Sequence, residues 1–301
     1  MRGNKGLING FLIINKNAGI SSFDVIRKLK KINKFKKIGY IGTLDRNATG
    51  VLPVAINEGV KLIPLLEDYE KSYKAKFLLG IKTDTFDIVG KVLEEKEVGE
   101  FKKEELERIL KGFEGEITQK VPIFSSKKIN RKPLYKLARK GIEVEVPEKK
   151  VHIYSIKLTD YTHPYVDVEI TCSKGTYIRS LANDFGEILG CGATLYALVR
   201  TKHGEFTYDM SVGLDEIKEK AEIERFILPL EHILSSMNKI IIDIQFERFL
   251  RQGMPVPIMS DMNAPKRDEM VKLFNRSGRL IAIGMTDIKT NTIKVKRLIN
   301  N

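Results

Sequence analysis

One acidic residue stands in a segment of small and turn-forming residues. Asp45 lies within Gly42-Thr43-Leu44-Asp45-Arg46-Asn47-Ala48-Thr49-Gly50, where glycine and threonine surround a single carboxylate. An aspartate in such a loop commonly bonds nearby backbone amides and stabilises a turn. A carboxylate in a closed pocket can instead act as a nucleophile or base, and it then needs a cation beside it to stay ionised. Arg179 is the candidate cation, although a surface ion pair worth very little is the ordinary alternative.

Several common catalytic sites are excluded by the sequence. The 301 residues contain no G-x-x-x-x-G-K-[ST], G-x-S-x-G, H-E-x-x-H or C-x-x-C motif. Cys172 and Cys191 suggest no disulfide framework, and the four histidines show no metal-ligand spacing. The segment around Asp45 is therefore the most concentrated candidate for chemistry.

The net charge of the chain favours a polyanionic partner. Lys and Arg number 52 and Asp and Glu 39, which gives a net charge of +13. Phosphates attract such a surface and release counterions on binding, although a soluble protein from a lysine-rich proteome would show the same excess. No apolar run approaches the length of a membrane span and no signal-peptide pattern opens the chain, so we expect a cytoplasmic protein.

Hydrophobic spacing predicts the elements just before Asp45. Phe11-Leu12-Ile13-Ile14 is typical of a buried strand, and Ser21-Ser22-Phe23-Asp24 of a capping box. An apolar helical face follows, formed by Val25, Ile26, Leu29 and Ile32. The polar face of this helix and the turn after it carry Arg27, Lys28, Lys30, Lys31, Lys34, Lys36 and Lys37. Because this run leads directly into the Asp45 segment, contact with a phosphate backbone gains weight against an ordinary solvated face.

A strand and a helix are predicted around Arg179. Val166–Cys172 alternates strictly between apolar and polar residues, which indicates a strand with one buried face. Arg179 follows this strand, in a helix predicted over Ile178–Leu189 with Gly190 as its stop. The apolar face of this helix is marked by Ile178, Leu181, Ala182, Phe185, Ile188 and Leu189. Tyr73–Gly80 predicts a further strand.

The composition changes twice in the second half of the chain. Between residues 127 and 150, nine Lys and Arg residues face three acids. We predict a basic, RNA-clamping insertion at about 125–150, although an ordinary charged loop explains the pattern equally well. Short strand-like segments after residue 234 predict a small β-rich domain at 235–301, beside a larger domain at 1–234.

Several short motifs occur together along the chain. They are Asn15-Lys16 with Gly19-Ile20-Ser21-Ser22; Gly42-Thr43-Leu44-Asp45 with Ala48-Thr49-Gly50-Val51-Leu52-Pro53; Lys71-Ser72-Tyr73; Gly80 with Thr83-Asp84-Thr85; Ser125 to Lys128 with Leu134-Tyr135 and Ala138-Arg139; and Cys172 to Arg179. In combination they resemble the bacterial tRNA pseudouridine synthase B family, which isomerises uridine 55 in the T-arm of tRNA. The resemblance covers essentially the whole chain, and the tail resembles the family's small RNA-binding PUA domain.

The resemblance implies a role for each matching position. Asp45 matches the catalytic aspartate, Arg179 the arginine that pairs with it, and Tyr73 the tyrosine that stacks on the target base and can help proton removal. The implied substrate-binding positions are Tyr177 and Leu198 in the uracil pocket, Lys16 and Lys128 near the cleft, and Tyr40 at a position that contacts the T-loop.

The resemblance also implies the fold and the reaction. We expect an α+β pseudouridine-synthase fold with a mixed, largely antiparallel central sheet flanked by helices, plus a C-terminal PUA-like domain. The reaction detaches the uracil of a flipped uridine, turns it and reattaches it through C5. Because no redox change or group transfer occurs, we expect no cofactor and no metal. The expected partner is tRNA, bound by a monomer without membrane contact or an obligate protein partner.

The chain departs from the family pattern beside Asp45. The usual His-Thr after the glycine matching Gly39 is Tyr40-Ile41, the usual Asp-Pro-Leu is Asp45-Arg46-Asn47, and the usual Lys-Pro is Lys16-Asn17. Both lost prolines are turn residues, and Tyr40 can stack but forms hydrogen bonds differently from histidine. A divergent paralogue with another RNA target would show the same changes.

Two other functions are compatible with these residues. A non-catalytic RNA-binding or RNA-folding protein could use the same scaffold, but it has no need for a buried acid–arginine pair. A carboxylate-dependent nucleosidase or glycosidase generally has two acids near the bond, and the segment from Gly42 to Pro53 offers one. Asp45, Tyr73 and Arg179 together therefore favour an RNA-modifying isomerase.

Overall fold

The chain forms a large mixed β-sheet, several helices and a second, smaller sheet. The computed structural model describes residues 8–125, 127–129, 132–138, 146–232, 234–260, 262–263, 265 and 267–300. The strands of the large sheet are β1 (Gly10–Lys16), β2 (Ile38–Tyr40), β3 (Thr49–Ile56), β4 (Lys71–Leu79), β7 (Gly115–Lys120), β10 (Glu148–Thr162), β11 (Tyr165–Cys172), β12 (Ala193–His203), β13 (Phe206–Thr207) and β14 (Val212–Gly213). The others are β5 (Ile81–Thr83), β6 (Val92–Glu95), β8 (Lys128–Ile129), β9 (Lys132–Pro133), β15 (Asn238–Ile242), β16 (Val256–Pro257), β17 (Met270–Asn275), β18 (Leu280–Asp287) and β19 (Thr292–Leu298).

The helices lie between these strands. The α-helices are α1 (Ser22–Ile32), α2 (Ile63–Leu66), α3 (Lys103–Lys111), α4 (Leu134–Ala138), α5 (Ile178–Leu189), α6 (Lys220–Phe226) and α7 (Ile244–Arg251). Short 3₁₀ turns occupy Asn57–Leu62, Tyr208–Met210, Leu214–Glu216 and Leu230–His232. Within the described ranges, no helix has the length and hydrophobicity needed to cross a lipid bilayer.

The strand order brings distant parts of the chain together. Among the described residues, the large sheet runs β14-β1-β3-β12-β4-β11-β10-β7, with β2 beside β3 and β13 beside β12. The pairs β1–β14 and β3–β12 are parallel, and the other neighbours are antiparallel. The predicted mixed, largely antiparallel sheet is confirmed. Its centre, β3-β12-β4, is where the Asp45 segment ends.

Strand β1 is buried on both faces, which explains its continuous apolar sequence. Leu12 and Ile14 pack in the core that includes α1 and α5, whereas Phe11 and Ile13 pack in the core shared with the second sheet. Strand β3 alternates between the same two cores. A strand that is covered on both sides must be apolar at successive positions.

Helix α1 begins with the predicted capping box. The Ser21 hydroxyl accepts a hydrogen bond from the Asp24 amide at 3.1 Å, and the Asp24 carboxylate accepts one from the Ser21 amide at 2.8 Å. Val25 and Leu29 are fully buried, as their spacing predicts. The cap fixes the start of α1, where Ser22 contacts the Asp45 segment.

Helix α5 has the predicted limits but not the full predicted apolar face. It runs from Ile178 to Leu189, and Gly190 ends it with φ at 77°, a left-handed conformation that suits glycine. Phe185 is fully buried against the sheet. Ile188, which the spacing assigns to the apolar face, is 60% exposed. That part of the prediction is wrong, because the helix packs along a narrower stripe.

The second sheet covers the other face of the large one. Its order is β15-β17-β18-β19-β16. Phe274 and Ile299 pack in one cluster with Phe11 of β1, and Lys61 Nζ donates a hydrogen bond to the Leu298 carbonyl at 2.8 Å. The β-rich tail is confirmed. The boundary between residues 234 and 235 and the PUA-like assignment stay predictions.

The basic stretch at about 125–150 ends in the large sheet. Its last residues, Glu148 to Lys150, begin strand β10 and pair with β7, and the RNA-clamping insertion itself stays a prediction. Strands β8 and β9 and helix α4 form part of the remainder. Residues 126, 130–131 and 139–145 of the predicted clamp lie outside the described residues.

Gly50, where the Asp45 segment enters β3, tests how tightly this centre is packed. Its φ is 97°, and a Cβ atom there would lie 2.2 Å from the Arg200 carbonyl oxygen. We expect Gly50→Ala to lower the free energy of unfolding by about 3 kcal/mol or more, because strain and steric overlap add. Urea unfolding followed by circular dichroism measures this.

Gly115→Ala is the matched control for Gly50→Ala. Its φ is 99°, but no heavy atom lies within 4 Å of the added Cβ. Only the strain of about 1–2 kcal/mol should remain. Equal losses in the two variants would contradict the steric explanation.

Candidate active site

The residues predicted to act together meet in one cleft. The cleft has a volume of about 370 Å³ and opens between the Asp45 segment, β4 and the start of α5. Its lining includes Asp45, Tyr73, Tyr177, Arg179 and Leu198. These residues come from four separate parts of the chain, and the strand order places them side by side.

Arg179 anchors the inner wall of the cleft. Its side chain is only 4% exposed, and its Nε lies 2.8 Å from Asp45 Oδ2. This contact is an ion pair but not a hydrogen bond, because the Nε–H does not point at the carboxylate oxygen. The hydrogen bond to Asp45 is donated by Nη2 to Oδ1 at 3.4 Å. The guanidinium also donates to the carbonyl oxygens of Thr85 at 3.0 Å and Phe124 at 3.2 Å. The arginine is thus buried, and the ordinary surface-pair alternative is wrong.

Asp87 is a second carboxylate beside Arg179 that the sequence analysis missed. Its Oδ2 lies 3.6 Å from Arg179 Nη1, and its Oδ1 accepts a hydrogen bond from the Thr85 hydroxyl at 2.8 Å. Burial raises the pKa of Asp87, and the Thr85 hydrogen bond and the Arg179 charge oppose that rise. The Thr83-Asp84-Thr85 motif marks this turn, but nothing in it distinguishes Asp87 from Asp84.

The Asp45 segment is attached to the start of α1. The Ser22 hydroxyl accepts from the Leu44 amide at 3.0 Å and donates to the Leu44 carbonyl at 3.2 Å. Arg46, which stands where the family usually has proline, donates from Nη1 to the Gly19 carbonyl at 3.2 Å. The Gly19 amide in turn donates to the Arg46 carbonyl at 2.9 Å. These bonds fix the residues on both sides of Asp45, whose carboxylate is 47% exposed toward the cleft.

Lys16 lies behind this segment rather than in the cleft. It is fully buried, and its ammonium donates to the carbonyl oxygens of Asn17, Ile20 and Arg46 at 2.9, 2.8 and 3.1 Å. All three N–H groups are therefore occupied by backbone. Burial lowers its pKa from 10.5 to about 8, against the opposing charge of Asp45. The geometry gives Lys16 a part in holding the loop, and it does not line the cleft among the described residues.

Tyr73 presents an aromatic ring to the cleft from the centre of the sheet. It lies on β4 opposite Ile170 of β11 and Arg200 of β12, and it is 7% exposed. Burial raises the pKa of Tyr73 to about 12, so its hydroxyl is protonated at neutral pH. A buried ring that borders a cleft is suited to stacking on a base.

The backbone of Tyr177 is clamped by a buried glutamine. Gln119 Oε1 accepts from the Tyr177 amide at 3.0 Å, and Gln119 Nε2 donates to the Tyr177 carbonyl at 3.2 Å. The two bonds hold Tyr177 at the N-terminal end of α5, two residues before Arg179. Gln119 is 1% exposed, and no pattern in the sequence indicates its role. Leu198 completes the lining from β12 with 9% of its surface exposed.

Tyr40 lies outside the cleft, and the side chain of Lys128 lies outside the described residues. Tyr40 is on β2, where it pairs with Val54 of β3. Its side chain is partly buried and packs against the core that includes α1 and α5. It is not among the described residues that line the cleft. Lys128 begins β8, and its side chain lies outside the described part of the structure.

The sequence of the chain matches two family models. The TruB family pseudouridylate synthase N-terminal domain matches residues 30–178, and the tRNA pseudouridylate synthase B C-terminal domain matches residues 179–235. The chain is 42% identical to the tRNA pseudouridine synthase B of Clostridium tetani over 92% of its length and 95% of that protein. It is 36% identical to that of Bacillus pumilus over 98% of both. The chain belongs to the TruB family of pseudouridylate synthases.

Membership makes the protein an isomerase that forms pseudouridine from uridine, and it confirms the predicted family and enzyme type. Solved structures support the fold. One described as an H/ACA RNP bound to a substrate RNA containing 2'-deoxyuridine has a TM-score of 0.73 and 21% identity, and covers 97% of this chain and 85% of its own. A Cbf5-Nop10-Gar1 complex has a TM-score of 0.72 and 24% identity, with 96% and 84% covered. At these identities the likeness concerns the fold alone.

The buried lysine behind the loop predicts a pH dependence of stability. Because folding lowers the pKa of Lys16 to about 8, the unfolded chain binds more protons than the folded one between pH 8 and 10. Its contribution to stability therefore rises with pH over this window. Lys16→Met should flatten the rise in unfolding free energy measured by urea titration from pH 8 to pH 10.

Burial also lowers the pKa of Lys71 to about 8. The Lys16→Met variant should therefore keep part of the rise in unfolding free energy between pH 8 and pH 10. Lys111→Met, at an exposed position on α3, is the control and should keep the full slope. An unchanged slope in Lys16→Met would contradict the assignment.

Proposed function

We propose that the protein isomerises uridine 55 in the T-arm of tRNA and that Asp45 is the catalytic carboxylate. In this proposal the target base is flipped out of the RNA and into the cleft. The observation that carries the proposal is the Asp45–Arg179 pair. A half-exposed carboxylate faces the cleft while the buried guanidinium holds it from the inner side. Two tyrosines and a leucine line the same cleft, as a pocket for one base requires.

The concave shape of the site supports base flipping. Asp45 and Arg179 lie in a cleft of about 370 Å³, and a base that leaves the stack of a folded loop could enter it beside Tyr73 and Tyr177. Extruding a base costs a few kcal/mol. Stacking on an aromatic side chain such as Tyr73 contributes about 1–3 kcal/mol, which offsets much of that cost.

The proposed reaction is balanced without an external reagent. Asp45 attacks the sugar or removes a proton from it, and the N1–C1′ bond breaks. The uracil turns within the pocket between Tyr73 and Tyr177, and a C5–C1′ bond forms. On the first path this bond displaces the Asp45 carboxylate from C1′, and on the second path Asp45 returns the abstracted proton to the sugar. The C5 proton then leaves, and N1 ends with a proton, so the product has the composition of the substrate. Tyr73 is protonated at neutral pH because burial raises its pKa to about 12. It can therefore accept a proton from the uracil only if a neighbouring group first takes its phenolic proton.

Further contacts with tRNA are part of the proposal. We assign RNA contact to the basic surface of α1 and the turn after it, to the basic insertion at about 125–150, and to the PUA-like tail at 235–301. Tyr40 and Lys128 belong to the same proposed footprint. We expect the protein to act as a cytoplasmic monomer, with tRNA as its partner.

Replacing the catalytic carboxylate tests the reaction. Asp45→Asn removes the negative charge and keeps the shape, so pseudouridine formation should fall below detection while the affinity for a T-arm stem-loop RNA stays within about twofold. Tritium release from C5-labelled RNA and filter binding measure the two quantities. Asp160→Asn is the control, because it makes the same carboxylate-to-amide change at an exposed position near the end of β10. It should keep full activity.

The site of modification is tested on a full tRNA transcript. Carbodiimide treatment and reverse transcription should give one enzyme-dependent stop, at uridine 55. A stop at another uridine would overturn the T-arm assignment and leave the isomerase intact. Full activity of Asp45→Asn would instead overturn the mechanism.

The basic surface of α1 predicts a salt dependence of binding. Lys30 and Lys31 are exposed in the last turn of α1, and Lys34 is exposed just after it. The opposite end of the helix, at Ser22, contacts the Asp45 segment. Each phosphate contact contributes about 0.7–0.9 to the slope of log affinity against log salt. Changing all three lysines to Gln should therefore reduce that slope by about 2 for full tRNA. Filter binding at salt concentrations between about 50 and 200 mM measures the slope.

A matched change of charge elsewhere serves as the control. Lys102, Lys103 and Lys111 are exposed at helix α3, and changing them to Gln alters the net charge equally. This variant should keep the slope of the unchanged protein. Equal slopes in the two triple variants would place the RNA contact away from α1.

A further inference from the structure

A second arginine, Arg200, is buried beneath the cleft and takes no part in the proposed chemistry. It lies on β12, and its exposed fraction is 0%. Burying a guanidinium is costly unless its donors are used. Within the described residues no carboxylate forms an ion pair with it, so its stabilisation must come from neutral acceptors. Which groups accept its hydrogen bonds is therefore informative.

The guanidinium of Arg200 bridges the two ends of the Asp45 segment. Nη2 donates to the Gly42 carbonyl at 2.8 Å, and Nε donates to the Val51 carbonyl at 2.7 Å. Gly42 precedes Asp45 by three residues, and Val51 follows it on β3. The planar fork of one side chain thus fixes both ends of the segment that presents the carboxylate.

The glycines of the segment fit closely around Arg200. A Cβ atom at Gly42 would lie 3.1 Å from Arg200 Nη1 and 2.7 Å from His203 Cε1, and φ at Gly42 is 66°. A Cβ atom at Gly50 would meet the Arg200 carbonyl oxygen at 2.2 Å. Side chain and backbone of Arg200 therefore set the path of the loop at both glycines.

The third side of the guanidinium faces Tyr73. Arg200 and Tyr73 are directly opposite in the β12–β4 register, so their side chains share one face of the sheet. Nη1 has no aligned acceptor among the described residues, and Arg200 borders the cleft. Burial lowers the pKa of Arg200 and raises that of Tyr73, and each group opposes the shift of the other.

Among the described residues, the titratable groups around Arg200 form no hydrogen bond to Gly42 or Val51. The titratable groups near it are Lys16, Lys71, Tyr73 and His203, with Asp45 and Cys172 next to Tyr73. Burial and the charges of Arg200 and Lys71 lower the pKa of His203 to about 2, so that imidazole is neutral. The ammonium of Lys71 donates to the carbonyls of Glu67 and Tyr69, away from the loop.

We propose that Arg200 is a positioning residue that sets the distance between the Asp45 loop and the ring of Tyr73 across the cleft. It acts through Gly42, Val51 and Tyr73 and does not itself touch the reacting atoms. Removing it lets the carboxylate and the stacking ring move independently, which lowers the rate of the chemical step more than the binding of RNA. The inference rests on the proposed function in taking a uridine of the T-arm as the group held between them.

Two variants of Arg200 test the proposal. Arg200→Met removes the charge and the fork, and Arg200→Lys keeps the charge but cannot hold two carbonyls in one plane. On a T-arm stem-loop RNA, kcat should fall on the order of a hundredfold in both, since a displacement of about 1 Å has that effect. KM should change by less than about threefold. Amide hydrogen exchange in residues 42–51 should speed up in both folded variants.

Lys82→Met is the control for loss of a partly buried cation. The Lys82 side chain on β5 is 25% exposed and pairs with Glu94 and Glu187, away from the cleft, so its replacement should lower stability and leave kcat unchanged below the melting transition. Normal kcat in Arg200→Lys, or a fall in kcat that only follows the unfolded fraction, would overturn the proposal. If Arg200→Met does not fold, Arg200→Lys alone decides between these outcomes.

The test separates this inference from the function on which it rests. If the unchanged protein leaves T-arm RNA unmodified, the proposed substrate is wrong. Hydrogen exchange in residues 42–51 still reports whether Arg200 holds the loop. Unchanged exchange in both folded variants would overturn the positioning role whatever the substrate is.

Discussion

The buried guanidinium of Arg179 is the interaction on which the active site depends. A charge that is 4% exposed must find acceptors within the protein, and it finds them in the carbonyls of Thr85 and Phe124 and the carboxylates of Asp45 and Asp87. These groups belong to three separate segments of the chain, since Thr85 and Asp87 share one turn. Satisfying one arginine therefore fixes the relative positions of all of them, and it leaves the Asp45 carboxylate directed at the cleft.

The sheet makes this convergence possible. Strands β3, β12 and β4 are neighbours in space although they are distant in sequence, so the Asp45 segment, Leu198 and Tyr73 meet at the centre. Both faces of β1 and β3 are covered, one by the helices and the other by the second sheet. A fully covered centre is rigid, because closely packed interiors have few voids into which side chains could shift. The carboxylate thus stands on a loop, but both ends of that loop are tied to a packed core.

The departures of this chain from its family become understandable in the same terms. Arg46 stands where a proline is usual, and its side chain bonds the Gly19 carbonyl, so a hydrogen bond takes over part of the restraint that a proline ring would supply. Lys16 is followed by Asn17 instead of proline, and its ammonium bonds three carbonyls around the same turn. Tyr40 packs partly into the core from β2. Side-chain hydrogen bonds therefore hold this loop at the two turns where the family resemblance implies proline.

Local patterns in the sequence determined the local elements. The capping box at Ser21, the apolar strand at Phe11–Ile14 and the glycine stop at Gly190 were predictable because each depends on neighbours a few residues away. The family motifs identified Asp45, Tyr73 and Arg179 as a set. Only the tertiary structure decided that Arg179 is buried, that Asp87 and Gln119 support the site, that Lys149 and Lys150 belong to β10, and that Arg200 spans the loop. The physical reason is that burial and the choice of hydrogen-bond acceptor depend on residues far away in the chain, and no local spacing records which of them will meet.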